Sequence, residues 1–207
     1  MNEEVLDAIK NLADEYAKKL QNQVEYRMRE MSTDDKSHYL IYKILGVDTK
    51  EGELIDLYQN KGRFLYKYAG SFLEEAAMIC FKYKYSEAKK VKLKNTLGSR
   101  PKTFEIDCLV GEDAHEIKWR DATTDGDHIT KEWTRVKVIR DAGYTPIRIM
   151  FYYPQRAQAK KIQETLETLY IGIGGEYFYG DKAWEYIENY TGVNLLEILH
   201  KIIKLRK

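Results

Sequence analysis

Cysteine is nearly missing from these 207 residues, and the two present, Cys80 and Cys108, each sit in an apolar run. With no C-x-x-C pair there is no zinc site, and buried reduced thiols are expected rather than a disulfide. Long apolar runs are missing too. Nothing approaches the ~18 residues of a membrane span, and the opening MNEEVLDAIK is acidic, without the apolar centre of a signal peptide, so a cytoplasmic location is the expectation. Nor is there a charge excess of one sign: the formal net charge is +1, which argues against a simple basic nucleic-acid binder. The four histidines, His38, His115, His128 and His200, are scattered and make no ligand cluster. HEIKW is not HExxH, Asp121 to Asp127 does not fit an EF-hand, and no GKS or GKT follows the IGIGG at Ile171 to Gly175. Zinc-protease, calcium-sensor and phosphate-loop readings therefore fail on spacing, and turn chemistry accounts for the glycines.

What is present, 43% apolar and 32% charged, describes an ordinary soluble globular protein. The seventeen tyrosines fall mostly on helical faces or in short aromatic runs, where core packing accounts for them. Val5, Ile9, Leu12, Tyr16, Leu20, Val24 and Met28 recur at steps of three and four, which predicts one long amphipathic helix from residue 3 to about 30. Ser32, with Asp35 three residues on, predicts the start of a second helix that Gly46 closes, and a short segment follows at Leu54 to Tyr58. A strongly apolar helix is expected from Arg63 to about Tyr85. Glu74 and Glu75 interrupt it, and because an unpartnered buried carboxylate is costly, one of them should have a cation. Glu74 stands four residues after Gly70, where a missing side chain would allow close approach to a strand. Lys90 to Lys94, the Asp107 strand and the Glu116 strand then read as a meander. Thr124 with Asp127 marks a helix running to Ala142, Thr145 to Tyr153 a buried fourth strand, and Gln155 to Tyr170 another helix. Three regions are expected: a helical region at 1–62 packed on the core or a partner, a core at 63–170, and a helical extension at 171–207.

The chemistry-bearing stretch is TFEIDCLVGEDAHEIKWR, Thr103 to Arg120. Side chains in a strand alternate faces, so Glu116 and Lys118 share one, opposite Ile117 and Trp119. On the preceding strand Phe104, Ile106, Cys108 and Val110 take the face opposite Asp107. A hairpin through Gly111, Glu112 and Asp113 brings Asp107, Glu116 and Lys118 to one patch. Two carboxylates with an ammonium suit phosphodiester hydrolysis, which needs a hard cation to neutralise an oxyanion and to lower the pKa of an attacking water. Mg²⁺ is the implied cofactor. Asp107, Glu116, the Ile117 carbonyl and Glu74 are its candidate ligands, and Lys118 would steady the water or the charge developing at phosphorus. D…ExK is short and degenerate, and a solvated polar face on an amphipathic hairpin competes with this reading.

A local charge asymmetry lies beside the patch. Lys82, Lys84, Lys89, Lys90, Lys92, Lys94, Arg100 and Lys102 stand against Glu87 alone between Phe81 and Lys102, a field suited to a phosphate backbone, or to an edge strand guarded against aggregation. Lys92, Lys94, Arg100 and Lys102 are the candidate DNA contacts here. Arg120, Asp121, Thr123, Thr124, Asp125 and His128 in the following loop, with Lys131 and Arg135 on the next helix, could reach phosphates or base edges.

The order helix, three-strand meander, helix, strand around D…ExK resembles the PD-(D/E)xK nuclease superfamily over roughly residues 63 to 153. That resemblance places Asp107 and Glu116 at the acidic positions, Lys118 at the lysine, and Glu74 at the glutamate many members carry on the first core helix. Ile106 stands where many members have proline. More narrowly, EIKWRDATTDGDHITKEWTRVKVIRDAGYTPIRIMFYYP is similar to the ApaLI-like type II restriction endonucleases. This implies a restriction-endonuclease-like αβββαβ core with a mixed sheet flanked by helices, a homodimer, double-stranded DNA cut with a stagger at GTGCAC, and a DNA methyltransferase in the same system. A repair or junction-resolving nuclease of the same fold is an alternative, as is a catalytically silent DNA-binding subunit.

Overall fold

A five-stranded mixed sheet organises the larger part of the chain, in the order β1-β2-β3-β4-β5. The structure, a computed structural model, describes residues 3–120 and 127–206, with backbone only at 127 and 128. Thr124, which was expected to open a helix, lies outside the described residues.

The meander forms as its alternation predicts. β1 (Lys89–Lys94), β2 (Thr103–Val110) and β3 (Asp113–Arg120) pair antiparallel, while β4 (Thr145–Tyr152) and β5 (Glu176–Tyr179) continue in parallel. The hairpin loop is two residues, Gly111 and Glu112, because Asp113 already pairs with Val110. Gly111 alone takes positive φ there (55°), as a II′ turn requires of its first central residue.

Strand parity in β2 needs a correction. Lys89 faces Leu109 and Val91 faces Ile106, so two steps of β1 span three of β2. This is a β-bulge, and it puts Ile106 and Leu109 in one apolar cluster with Ala114 and Ile139, although strict alternation would set them on opposite faces. The extra residue falls at Asp107–Cys108.

Parallel strands need crossovers, and α4 (Asp127–Asp141) and α5 (Ala157–Gly172) supply them. They pack together on one face, where Val136, Ile162, Leu166 and Tyr170 meet Met150 and Tyr177. The other face carries the end of α3 (Thr49–Lys84) and α6 (Asp181–Thr191), through Phe81, His115, Tyr186 and Tyr190, and α7 (Leu195–Leu205) packs on α6. The expectations did not include β5, which opens where the glycine-rich turn ends. A Cβ on Gly175 would lie 2.3 Å from the Pro146 carbonyl oxygen, so only glycine lets the chain come that close to β4. Cys80 and Cys108 are buried free thiols.

The chain divides into two compact units, Met1–Lys10 with Leu73–Lys207, and Asn11–Phe72. In the smaller unit, Tyr16 of α1 (Glu3–Thr33) meets Tyr68 and Phe72 edge-on at 6.1 and 6.0 Å. α2 spans Tyr39–Ile44 rather than starting at Ser32, because Asp35 folds back to accept the Ser37 N–H at 2.9 Å, a turn instead of a cap. α3 starts fourteen residues before the expected Arg63: Asp48 accepts the Glu51 N–H at 2.9 Å as an N-cap, and Leu54 to Tyr58 is part of the same helix. Gly70 is not a close approach, since a Cβ there meets nothing within 4 Å. No described helix is long and apolar enough to cross a membrane.

Candidate active site

Asp107, Glu116 and Lys118 converge. Lys118 Nζ stands 2.5 Å from Glu116 Oε1 and 3.6 Å from Asp107 Oδ2. Two backbone features set this up. The bulge turns Asp107 toward the Glu116 face, and Asp107 Oδ2 then accepts the Ile117 N–H at 2.8 Å, which fixes the carboxylate over β3.

The site is buried, and burial divides the two acids. Burial, then the charge of Glu116, pushes Asp107 up to about 7. Burial also opposes ionisation of Glu116, but Lys118, Arg135 and Arg148 outweigh it and hold that carboxyl below its usual range. Lys118 is raised for the converse reason: its own burial is outweighed by Glu116 and then Asp107, so the ammonium stays charged.

The donor set fits a hard cation. Glu116 Oε1 is buried with no aligned hydrogen-bond donor, its contact with Lys118 being an ion pair rather than a directed hydrogen bond. Mg²⁺ takes one or two carboxylates and keeps several waters, so Asp107 and Glu116 would suffice as side-chain ligands were it bound here. Among the described residues no group of three or more His, Cys, Asp or Glu side chains forms a ready-made metal cage. Glu74 is ion-paired to Lys90 of β1, close enough to Asp107 for its charge to contribute to that shift. The carboxylate in the apolar helix thus has the cation its position demanded.

Behind Glu116 lies a layer that motif reading did not anticipate. Arg148 stands beside Glu116 in the β3–β4 register, and its Nη1 donates to Glu132 Oε2 at 3.1 Å. Tyr170 O–H donates to the same oxygen at 3.2 Å. Arg135, expected with Lys131 at the DNA surface, instead turns inward, donating to Glu116 Oε2 and standing 3.2 Å from Glu132 Oε1. Two signals were available. Arg148 interrupts an otherwise apolar strand, and Glu132 shares a helical stripe with Val136 and Ile139.

The other candidates scatter over the surface. Lys92, Lys94, Arg100 and Lys102 are exposed on or just after the edge strand β1, Lys92 lying 3.5 Å from Glu105. Lys131 is exposed on α4. Arg120, at the end of β3, sits 5.6 Å from the Trp119 ring. It helps line a cleft of about 520 Å³ with Trp119, Tyr152, Tyr153, Gln155 and Arg156. Asp121, Thr123, Thr124 and Asp125 lie outside the described residues, as does the side chain of His128. A hollow of about 430 Å³ lined by Phe178, Lys182, Tyr186 and Tyr190 belongs to the α6 side, away from the carboxylates.

The family model described as ApaLI-like restriction endonuclease matches residues 1–204. No curated protein and no solved structure matches the chain.

Proposed function

Because this chain belongs to the ApaLI-like restriction endonuclease family, we propose that it is a type II enzyme that hydrolyses both strands of duplex DNA at a short palindrome, with Mg²⁺ held by Asp107 and Glu116. The observation that carries the reading is the convergence of these two carboxylates with Lys118 at 2.5 and 3.6 Å in a buried site. GTGCAC is the palindrome the family resemblance implies. Mg²⁺ bound there supplies Lewis acidity at a phosphoryl oxygen and lowers the pKa of an attacking water.

The chain's own groups do the rest. Asp107, held by the Ile117 N–H, and Glu116, held by Arg135, present oxygens in a fixed arrangement. The Ile117 carbonyl completes the proposed ligand set, while Glu74, through its pairing with Lys90, acts at one remove. Lys118 keeps its proton and places positive charge where the phosphorus centre gains negative charge. Lys92, Lys94, Arg100 and Lys102 offer a phosphate-binding edge. The Arg120 and Arg156 cleft adds cations and aromatic surface at the end of the catalytic strand.

A palindrome mirrors a two-fold protein, so a homodimer with one site per strand is part of the proposal, as is a methyltransferase protecting the host sequence. The exposed Leu40, Ile41, Ile44 and Leu45 on and beside α2 support a self-associating helical region. Plasmid incubated with Mg²⁺ should yield discrete fragments ending at one hexamer, whereas Ca²⁺ should support binding without cutting. Cleavage only at branched DNA would favour a junction-resolving enzyme. DNA binding with no cleavage under any Mg²⁺ condition would favour a silent binding subunit.

A further inference from the structure

We infer that Arg135 is a positioning residue: anchored by Glu132, it grips Glu116 Oε2 and thereby aims Oε1 at the divalent cation. The inference rests on the nuclease reading and extends it to residues that touch neither DNA nor cation.

Five elements contribute to the anchor, β2 among them. From β3, Glu116 gives Oε2 to Arg135 of α4. One helical turn earlier, Glu132 faces the other edge of the same guanidinium, with Oε1 3.2 Å from Nε as an ion pair rather than an aligned hydrogen bond. Glu132 cannot swing away, because its second oxygen takes Arg148 Nη1 of β4 at 3.1 Å and the Tyr170 hydroxyl of α5 at 3.2 Å. Arg135 is held further by the Glu105 carbonyl at 3.4 Å and by the Phe104 ring 5.7 Å away.

Charge and burial show why the arrangement is more than packing. Asp107, Glu116 and Glu132 face Lys118, Arg135 and Arg148, three carboxylates against three cations, with Glu116, Glu132 and Arg148 side chains only 2–3% exposed. Buried ion pairs of this sort are often no more stabilising than apolar side chains of the same volume. Their use here is orientation. The two oxygens of Glu116 are treated differently: Oε2 accepts from Nη1 of a guanidinium whose Nε is ion-paired to Glu132, while Oε1 meets only the flexible ammonium of Lys118. A cation entering the site can displace Lys118 from Oε1 without disturbing Arg135. Arginine suits the post because one guanidinium spans two carboxylates, which an ammonium on a flexible stem does not.

The test is Arg135→Lys, which keeps the charge and removes the fork. Partners of metal ligands typically contribute ~10–100-fold in affinity or activity. The Ca²⁺ dissociation constant of the variant, measured by calorimetry, should rise by about that factor, and the Mg²⁺ concentration giving half-maximal cleavage should rise with it. A merely structural role would lower the melting temperature and leave both metal midpoints in place. Should Arg135→Lys fail to fold, the near-isosteric Glu132→Gln decides, with the same shift expected because it loosens the anchor. Midpoints within twofold of the wild type in a folded variant would overturn the inference. Wild type that binds Ca²⁺ but cuts no DNA overturns the nuclease reading and leaves the calorimetry to judge Arg135; wild type that binds no divalent cation overturns both.

Discussion

Replacing Asp107 by asparagine should abolish cleavage and at the same time make the metal-free fold more stable. Asp107 is 6% exposed, and burial and Glu116 push its carboxyl up to about 7 from an ordinary 3.8. The folded protein thus holds that proton more tightly than the unfolded chain. The resulting penalty is fully present above pH 7, shrinks as pH falls through 7, and is gone only below the unfolded value of 3.8. If the whole shift belonged to Asp107 it would be worth about 4 kcal/mol at pH 8. Asparagine also gives up the ion pair to Lys118 at 3.6 Å, so about 2 kcal/mol is the expected net gain. Asparagine keeps an acceptor for the Ile117 N–H and removes the charge. For a chain of this size that gain raises the melting temperature by ~4–8 °C. Thermal or urea unfolding in EDTA at pH 8 and pH 4.5 is the assay: Asp107→Asn should exceed wild type at pH 8, and by roughly half as much at pH 4.5. Loss of stability at pH 8, or a gain that ignores pH, would refute the argument that function keeps a costly carboxylate in this site.

Two other predictions follow from the same geometry. Lys92→Ala with Lys94→Ala should weaken binding to all sequences alike and reduce the salt slope by ~0.9 per lost phosphate contact; an edge-strand role would leave affinity unchanged and increase aggregation. His115 is wholly buried on the opposite face of the sheet, its Nδ1 3.0 Å from the Cys108 carbonyl and its Nε2 2.9 Å from the Tyr186 hydroxyl, and burial pushes it down to about 4 from 6.5. The unfolded chain takes up this proton first, so His115 contributes a loss of stability between pH 6.5 and 4, ~2 kcal/mol by pH 5. The difference between wild type and His115→Gln should change over that window, and a pH-independent difference would contradict the assignment.

Much of the core was legible because periodicity of two and of 3.6 carries it. Asp107, Glu116 and Lys118 came together as parity suggested, yet partly for another reason. Alternation puts Glu116 and Lys118 on one face, but a bulge, which leaves no mark in composition, re-aims Asp107 and returns Leu109 to the face of Ile106. The anchor of Glu116 was not legible as such. Arg135 in ITKEWTRVK reads as one of several surface cations, and only helix register together with the β3–β4 alignment turns it inward toward Glu116 and Glu132. β5 was missed because EYFY is four residues long and follows a turn that glycine content had already explained. The continuity of α3 was missed because internal glycines at 52, 62 and 70 resemble breaks, whereas a helix tolerates them at modest cost.

Single-turnover cleavage of a GTGCAC duplex by Glu116→Gln tests the central claim most directly, with circular dichroism confirming the fold. Glu116 carries both the ion pair to Lys118 and the grip of Arg135, so the account predicts a loss of at least ~10²-fold in the chemical step with DNA still bound. A folded Glu116→Gln enzyme that cuts the duplex at the wild-type rate would contradict it.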